Sequence, residues 1–173
     1  MTNEDSVVKR DDAAQQRVGV FFELFVANRM VGQVIERALA GTGLAPSDYA
    51  FYSALRDVGP LTPSELSSVL GAPLTTISEW VRRYEARGHL VRLSNPADGR
   101  SYLVALSRSG LTAWRAASRA VSPVFDDVRA RFAMPEDQIR AALAAVDAAL
   151  REEMASPGVP RSDPGRKRPS VKG

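Results

Sequence analysis

The stretch Leu61-TPSELSSVLGAPLTTISEWVRRYEARGHLVRLSNPADGRSYLVAL-Ser107 decides the fold. It reads as a helix, a tight turn, a second helix and a two-stranded β-wing. Thr62 is placed to cap the first helix, Pro63 sits where a missing N–H costs nothing, and Glu65 is three residues past the cap, able to reach back to it. Leu66, Val69 and Leu70 share one face, and Gly71 ends the helix as a residue free to take positive φ. The second helix is expected from Pro73 to Arg87. Leu74, Ile77, Val81 and Tyr84 fall on one stripe, and Thr75, Thr76, Glu79, Arg82, Arg83 and Ala86 lie opposite.

Gly88 closes that helix. Leu90–Leu93 reads as a strand, Asn95-Pro96-Ala97-Asp98-Gly99 is dense in turn formers, and Arg100–Leu106 reads as the returning strand. Two helices about a short turn, the second with hydroxyls and arginines on its outer face, form a pattern suited to a major groove. Hydroxyls bond phosphates and base edges, and arginine grips guanine or phosphate. The candidate DNA contacts are therefore Thr75, Thr76, Ser78, Glu79, Arg82 and Arg83 on the helix, with Asp98 and Arg100 on the wing. The Asp98 carboxylate is expected to hold the Arg100 guanidinium in position for a narrow minor groove.

The stretch resembles the winged helix-turn-helix of the multiple-antibiotic-resistance regulator (MarR) family. The resemblance is carried by Leu66–Leu70, Thr76-Ile77-Ser78, Glu85-Ala86-Arg87-Gly88-His89-Leu90-Val91, Asp98-Gly99-Arg100, Leu106-Ser107 and Gly110. It covers roughly residues 15 to 155, the outer helices by pattern alone. Glu79 and Trp80 depart from it, standing where the family often has a basic or neutral residue and an aliphatic one. The resemblance implies a mainly α fold with a small β-wing, and a homodimeric transcription regulator. That regulator is often a repressor released by a small ligand.

The chain has 173 residues and 45% hydrophobic content, enough for a real core. It has no cysteine and a single histidine, His89, which argues against a disulfide framework, a thiol nucleophile or a zinc site. No cofactor or metal is expected. The formal charge is +3, but residues 156–173 contribute +4 of it, leaving −1 for residues 1–155. DNA binding therefore rests on local placement. Between residues 82 and 100 five arginines (Arg82, Arg83, Arg87, Arg92, Arg100) face only Glu85 and Asp98. The polar start, with no long apolar run, points to a cytoplasmic protein.

Residues 1–14 read as a mobile arm, and 15–155 as a single MarR-like domain. Within it, 61–107 is the winged helix-turn-helix, and 15–60 and 108–155 are dimerisation helices. The first helix, Gln15 to Ala40, is apolar over most of its girth, more than one core contact needs. A second helix opens at Pro46-Ser47-Asp48. After the wing, Ser107 caps a helix to about Phe132 with Pro123 inside it, and a last helix runs from Pro135 to about Met154. Its stripe of Ile139, Leu143, Val146, Leu150 and Met154 suits a partner's first helix. Residues 156–173 read as a disordered basic tail.

Phe21, Phe25, Phe51, Tyr52 and Trp114 are candidates to line a ligand cavity for a small aromatic or phenolic effector, although each also suits an ordinary core. Trp80 reads as core packing and His89 as a surface residue. The partners expected are thus double-stranded DNA with a pseudo-palindromic operator, a second copy of the chain and that effector. The competing reading is a winged-helix protein–protein interaction module, which would want an apolar outer face on the second helix. An enzyme would want a nucleophile–base pair, a metal cluster or a phosphate loop, and the sequence offers none.

Overall fold

A computed structural model describes residues 19–156. The N-terminal arm, the helix start at Gln15 and all of the basic tail but Ser156 lie outside the described residues. Among the described residues, six helices and a two-stranded sheet follow in the order α1 (Val20–Ala38), α2 (Pro46–Asp57), α3 (Pro63–Leu70), α4 (Leu74–Ala86), β1 (Leu90–Ser94), β2 (Tyr102–Leu106), α5 (Arg108–Arg129) and α6 (Glu136–Ala155). The fold is mainly α with a small β-wing, as expected. The described residues divide into two compact units, one on each side of the boundary between Val128 and Arg129.

The helix-turn-helix is α3 and α4. Thr62 and Glu65 form a reciprocal cap: the Thr62 amide donates to Glu65 Oε2 at 2.7 Å and the Glu65 amide to Thr62 Oγ1 at 3.2 Å. Gly71 ends α3 in the left-handed region at φ +60°. The Ser67 hydroxyl then donates to the Ala72 carbonyl at 2.7 Å, closing the turn into α4.

The wing pairs β1 and β2 antiparallel, Leu90 opposite Leu106 and Ser94 opposite Tyr102. Leu61, just ahead of α3, makes a third, one-residue bridge to Val104, with amide–carbonyl distances of 3.1 and 2.7 Å. The wing is therefore sewn to the entry of α3. Phe51 and Tyr52 of α2, Leu66 of α3, Ile77, Val81 and Tyr84 of α4, Val104 of β2 and Val121 of α5 are fully buried and meet in one core. This core sits behind α4 and leaves the opposite side of that helix in solvent.

The exit from α4 is locked to the start of α5. Ser107 and Ser109 hydroxyls both donate to the Gly88 carbonyl, at 2.7 and 2.6 Å. The Ser107 amide donates to the His89 carbonyl at 2.9 Å, and Ser107 Oγ accepts the Gly110 amide at 3.1 Å, capping α5. Gly110 lies so close to His89 that a Cβ there would stand 2.1 Å from the His89 carbonyl oxygen. The Leu106-Ser107 and Gly110 pattern in the sequence is thus a steric and hydrogen-bonding requirement of the wing's attachment.

In α1 no residue is buried. Phe21, Phe22, Phe25 and Met30 are exposed, whereas Ile35 and Ala38 at its far end pack on the core. In α6, Leu143, Leu150 and Met154 are exposed, and Ile139 and Val146 half-buried. No helix of the described residues is long and apolar enough to cross a membrane.

Gly110→Ala should lower unfolding free energy by about 1–3 kcal/mol, the usual cost of overpacking, in a urea titration. The sign is diagnostic, because the same change at an open helical position is stabilising by about 1 kcal/mol.

Candidate nucleic acid interface

The placement of α4 follows from its two faces. Ile77, Val81 and Tyr84 are buried, and Thr75, Ser78, Glu79 and Arg82 are exposed on the other side. Thr76 is half-buried on the flank. The Ser78 hydroxyl donates to the Leu74 carbonyl at 2.8 Å, so part of its hydrogen-bonding capacity is used within the helix.

Arg83, expected beside Arg82 on the outer face, stays partly exposed but turns its guanidinium toward α2. Its Nη2 donates to Asp48 Oδ1 at 2.9 Å. Asp48, on α2, is 3% exposed and is the only buried charged residue among those described. Its Oδ1 also accepts the Tyr84 hydroxyl at 2.6 Å, and its Oδ2 accepts Arg87 Nη1 at 3.0 Å and the Ala45 amide at 3.2 Å. The Arg83 guanidinium also stacks on the Tyr84 ring, 4.8 Å from its centroid. A carboxylate out of water is costly unless its lone pairs are filled. Here four donors fill them, two from the last turn of α4 and one from Arg87 just past its end.

Burial alone would raise the Asp48 pKa. The hydrogen bonds from Tyr84, Ala45 and Arg87, with the charge of Arg83, outweigh it and hold the carboxyl below its ordinary value. Tyr84 shifts upward, through burial and its bond to that carboxylate. Burial and the Asp48 charge push Tyr52 up to about 12, so it stays a neutral phenol.

Arg92 is also engaged. It grips Glu85 with two nitrogens, Nη2 at 2.8 Å from Oε2 and Nε on Oε1, and lies 4.3 Å over the Tyr102 ring. Of the five arginines between residues 82 and 100, three are therefore engaged with carboxylates of this chain. Among the described residues, the Arg82 and Arg100 side chains make no such pair, and both are exposed.

At the wing tip, the expectation that Asp98 holds the Arg100 guanidinium is corrected. Asp98 Oδ1 accepts the Arg100 backbone amide at 3.0 Å. The carboxylate sits two residues before that amide in a tight turn, within reach of the main chain. Asn95 Oδ1 accepts the Ala97 amide at 3.0 Å, and Asn95 Nδ2 donates to Ser101 Oγ at 2.7 Å. The tip is thus braced through its backbone, and the Arg100 side chain extends from a fixed base.

The five aromatic residues read as a ligand cavity do not come together in one chain. Phe51 and Tyr52 are core: Phe51 packs edge-on to Trp80 at 6.1 Å, and Tyr52 to Tyr84 at 5.0 Å. Phe21 and Phe25 are exposed on α1. Trp114 is half-buried on α5, donates from Nε1 to Ser53 Oγ at 3.1 Å and lies under the Arg56 guanidinium. His89, read as a surface residue, is half-buried, its Nδ1 hydrogen-bonded to the Tyr52 hydroxyl at 2.8 Å. No group of three His, Asp or Glu among the described residues is placed to hold a metal ion. Sequence reading missed Asp48. Its local signal, an acid at the third position of a helix, foretells only the bond to Ala45.

No protein-family model matches the chain. In sequence it is similar to the multiple antibiotic resistance protein MarR of Salmonella typhimurium, 26% identical over 87 residues. That match takes in 50% of this chain and spans only 60% of the relative's length. In structure it is similar to the Mycobacterium tuberculosis transcriptional regulator MosR solved in complex with DNA. There the TM-score is 0.67 and the identity 22%, over 78% of this chain and 97% of that one. It is also similar to CouR from Rhodococcus jostii bound to p-coumaroyl-CoA, at TM-score 0.64 and 24% identity over 74% and 91% of the two chains.

Replacing Asp48 with Ala should remove about 3–5 kcal/mol of stability, the cost of breaking a buried ion pair. Because the folded-state pKa is depressed, Asp48 contributes fully above the unfolded carboxylate range and loses its contribution as pH falls through the folded value. Urea midpoints measured from pH 7 down to pH 2 should fall more steeply for wild type than for Asp48→Asn.

Proposed function

We propose that this chain, which has the winged helix-turn-helix fold of the MarR family, is a sequence-specific double-stranded DNA-binding transcription regulator acting as a homodimer in the cytoplasm. The observation that carries the reading is the pair of guanidiniums that no carboxylate of the described residues engages, Arg82 on the solvent face of α4 and Arg100 at the wing tip. α4 enters the major groove with Thr75, Thr76, Ser78, Glu79 and Arg82 toward the DNA. Arg100 reaches the adjacent minor groove or its phosphates. Arg83 serves chiefly to hold α4 on Asp48, and Asp98 to brace the wing.

The dimer is supported by the apolar surface that one chain leaves in water. Phe21 is 67% and Met30 61% exposed, a patch of the kind that marks an interface. Two copies about a two-fold axis would read a pseudo-palindrome with half-sites about one DNA turn apart. Repression relieved by a small aromatic or phenolic effector is part of the proposal. The p-coumaroyl-CoA bound by CouR supports it, and Phe21, Phe25 and Trp114, unlike Phe51 and Tyr52, remain outside the buried core and available to line such a site between subunits. A protein-binding module is disfavoured by the polar outer face of α4, and the proposal gives the chain no catalytic role.

Fluorescence anisotropy with DNA from upstream of the protein's own gene, against shuffled DNA at two salt concentrations, tests this. Tight binding that weakens with salt and prefers the native fragment is expected. Arg82→Ala and Arg100→Ala should each cost about tenfold or more in affinity with the fold intact. Equal, weak binding of both DNAs, unchanged in the variants, would overturn the assignment.

A further inference from the structure

The exposed face of α4 carries one group of the wrong sign for a phosphate surface. Glu79 stands opposite the buried stripe of Ile77, Val81 and Tyr84, with Thr75 a turn before it and Arg82 about a turn after. Its natural ion-pair partners on the helix are three and four residues on. Arg83, at four, is drawn away to Asp48. Arg82, at three, makes no bond to it among the described residues. The Glu79 carboxylate is therefore exposed with its lone pairs open, at the centre of the surface proposed to meet DNA.

A carboxylate accepts hydrogen bonds and donates none. Toward the backbone it would meet only phosphate charge. Toward the major-groove base edges it would be repelled by guanine O6 and N7 and by thymine O4, all acceptors. Adenine offers its N6 amino group, but beside the acceptor N7. Cytosine alone presents a donor, the N4 amino group, with no acceptor on that edge. We infer that Glu79 is a specificity-determining residue that accepts a hydrogen bond from N4 of a cytosine in each half-site, selecting a C·G pair at that position. The inference rests on the DNA-binding reading above.

In vitro selection from a randomised duplex library, run with wild type, Glu79→Gln and Glu79→Ala, tests it. Matching thermal melts would verify that these exposed substitutions leave the fold intact. Wild type should enrich a cytosine at one position per half-site, and replacing that C·G pair with T·A should cost about tenfold or more in affinity. Glu79→Gln should move the preference there toward adenine, whose N6 and N7 suit an amide. Glu79→Ala should lose discrimination at that position alone. Three identical consensus sequences would overturn the inference. So would a Glu79→Ala variant that binds more tightly with unchanged base preferences, because the acid would then be merely repulsive. If wild type enriches no sequence at all, the DNA-binding reading itself fails, a result separable from the other two.

Discussion

The ionised Asp48 carboxylate, enclosed by Tyr84, Arg83, Arg87 and the Ala45 amide, fixes which side of α4 the core retains and which side meets solvent. An apolar stripe of Ile77, Val81 and Tyr84 would hold the helix against the core, yet leave it some freedom to roll. Three directional bonds to one buried anion remove that freedom, because any rotation uncovers a charge that water does not reach. The same contacts engage two of the five local arginines, Arg83 and Arg87, whose side chains stay partly exposed but turn their guanidiniums onto Asp48. Among the exposed charged groups of α4, Glu79 and Arg82 are the ones that no intrachain ion pair engages among the described residues. The fold has thus turned a generally basic stretch into a surface with particular chemistry at particular places.

A second set of contacts fixes the wing relative to that helix. The Gly88 and His89 carbonyls receive Ser107 and Ser109, and Gly110 allows α5 to start in direct contact with the His89 backbone. The Leu61–Val104 bridge ties the same wing to α3. With Asp98 and Asn95 bracing the tip, Arg82 and Arg100 extend from backbone segments tied together by hydrogen bonds. Binding then requires ordering of only their side chains, which limits the entropic cost of forming the complex.

Much of this was legible in the residues. Thr62, Pro63, Glu65 and Gly71 announce the bounds of α3 because caps are local chemistry, and the stripe of α4 announces its buried face because burial follows the helical period. The pairing of Asp48 with residues 35 to 39 positions away was not legible, since an acid near a helix start looks complete with its own backbone partner. For the same reason Arg83 read as a twin of Arg82, and His89 as a surface residue, although the Tyr52 hydroxyl meets it from α2. The Asp98–Arg100 reading found the right residues and the wrong bond: adjacent opposite charges suggest an ion pair, while a tight turn puts the backbone amide nearer.

The most direct test of the account is dimethyl sulfate footprinting on the DNA fragment the protein retains most tightly. Methylation reports guanine N7 in the major groove, where α4 is placed. The account predicts two protected patches separated by about one helical turn, each lost when Arg82 is replaced by Ala. An unprotected fragment, a single patch, or protection indifferent to Arg82 would contradict it.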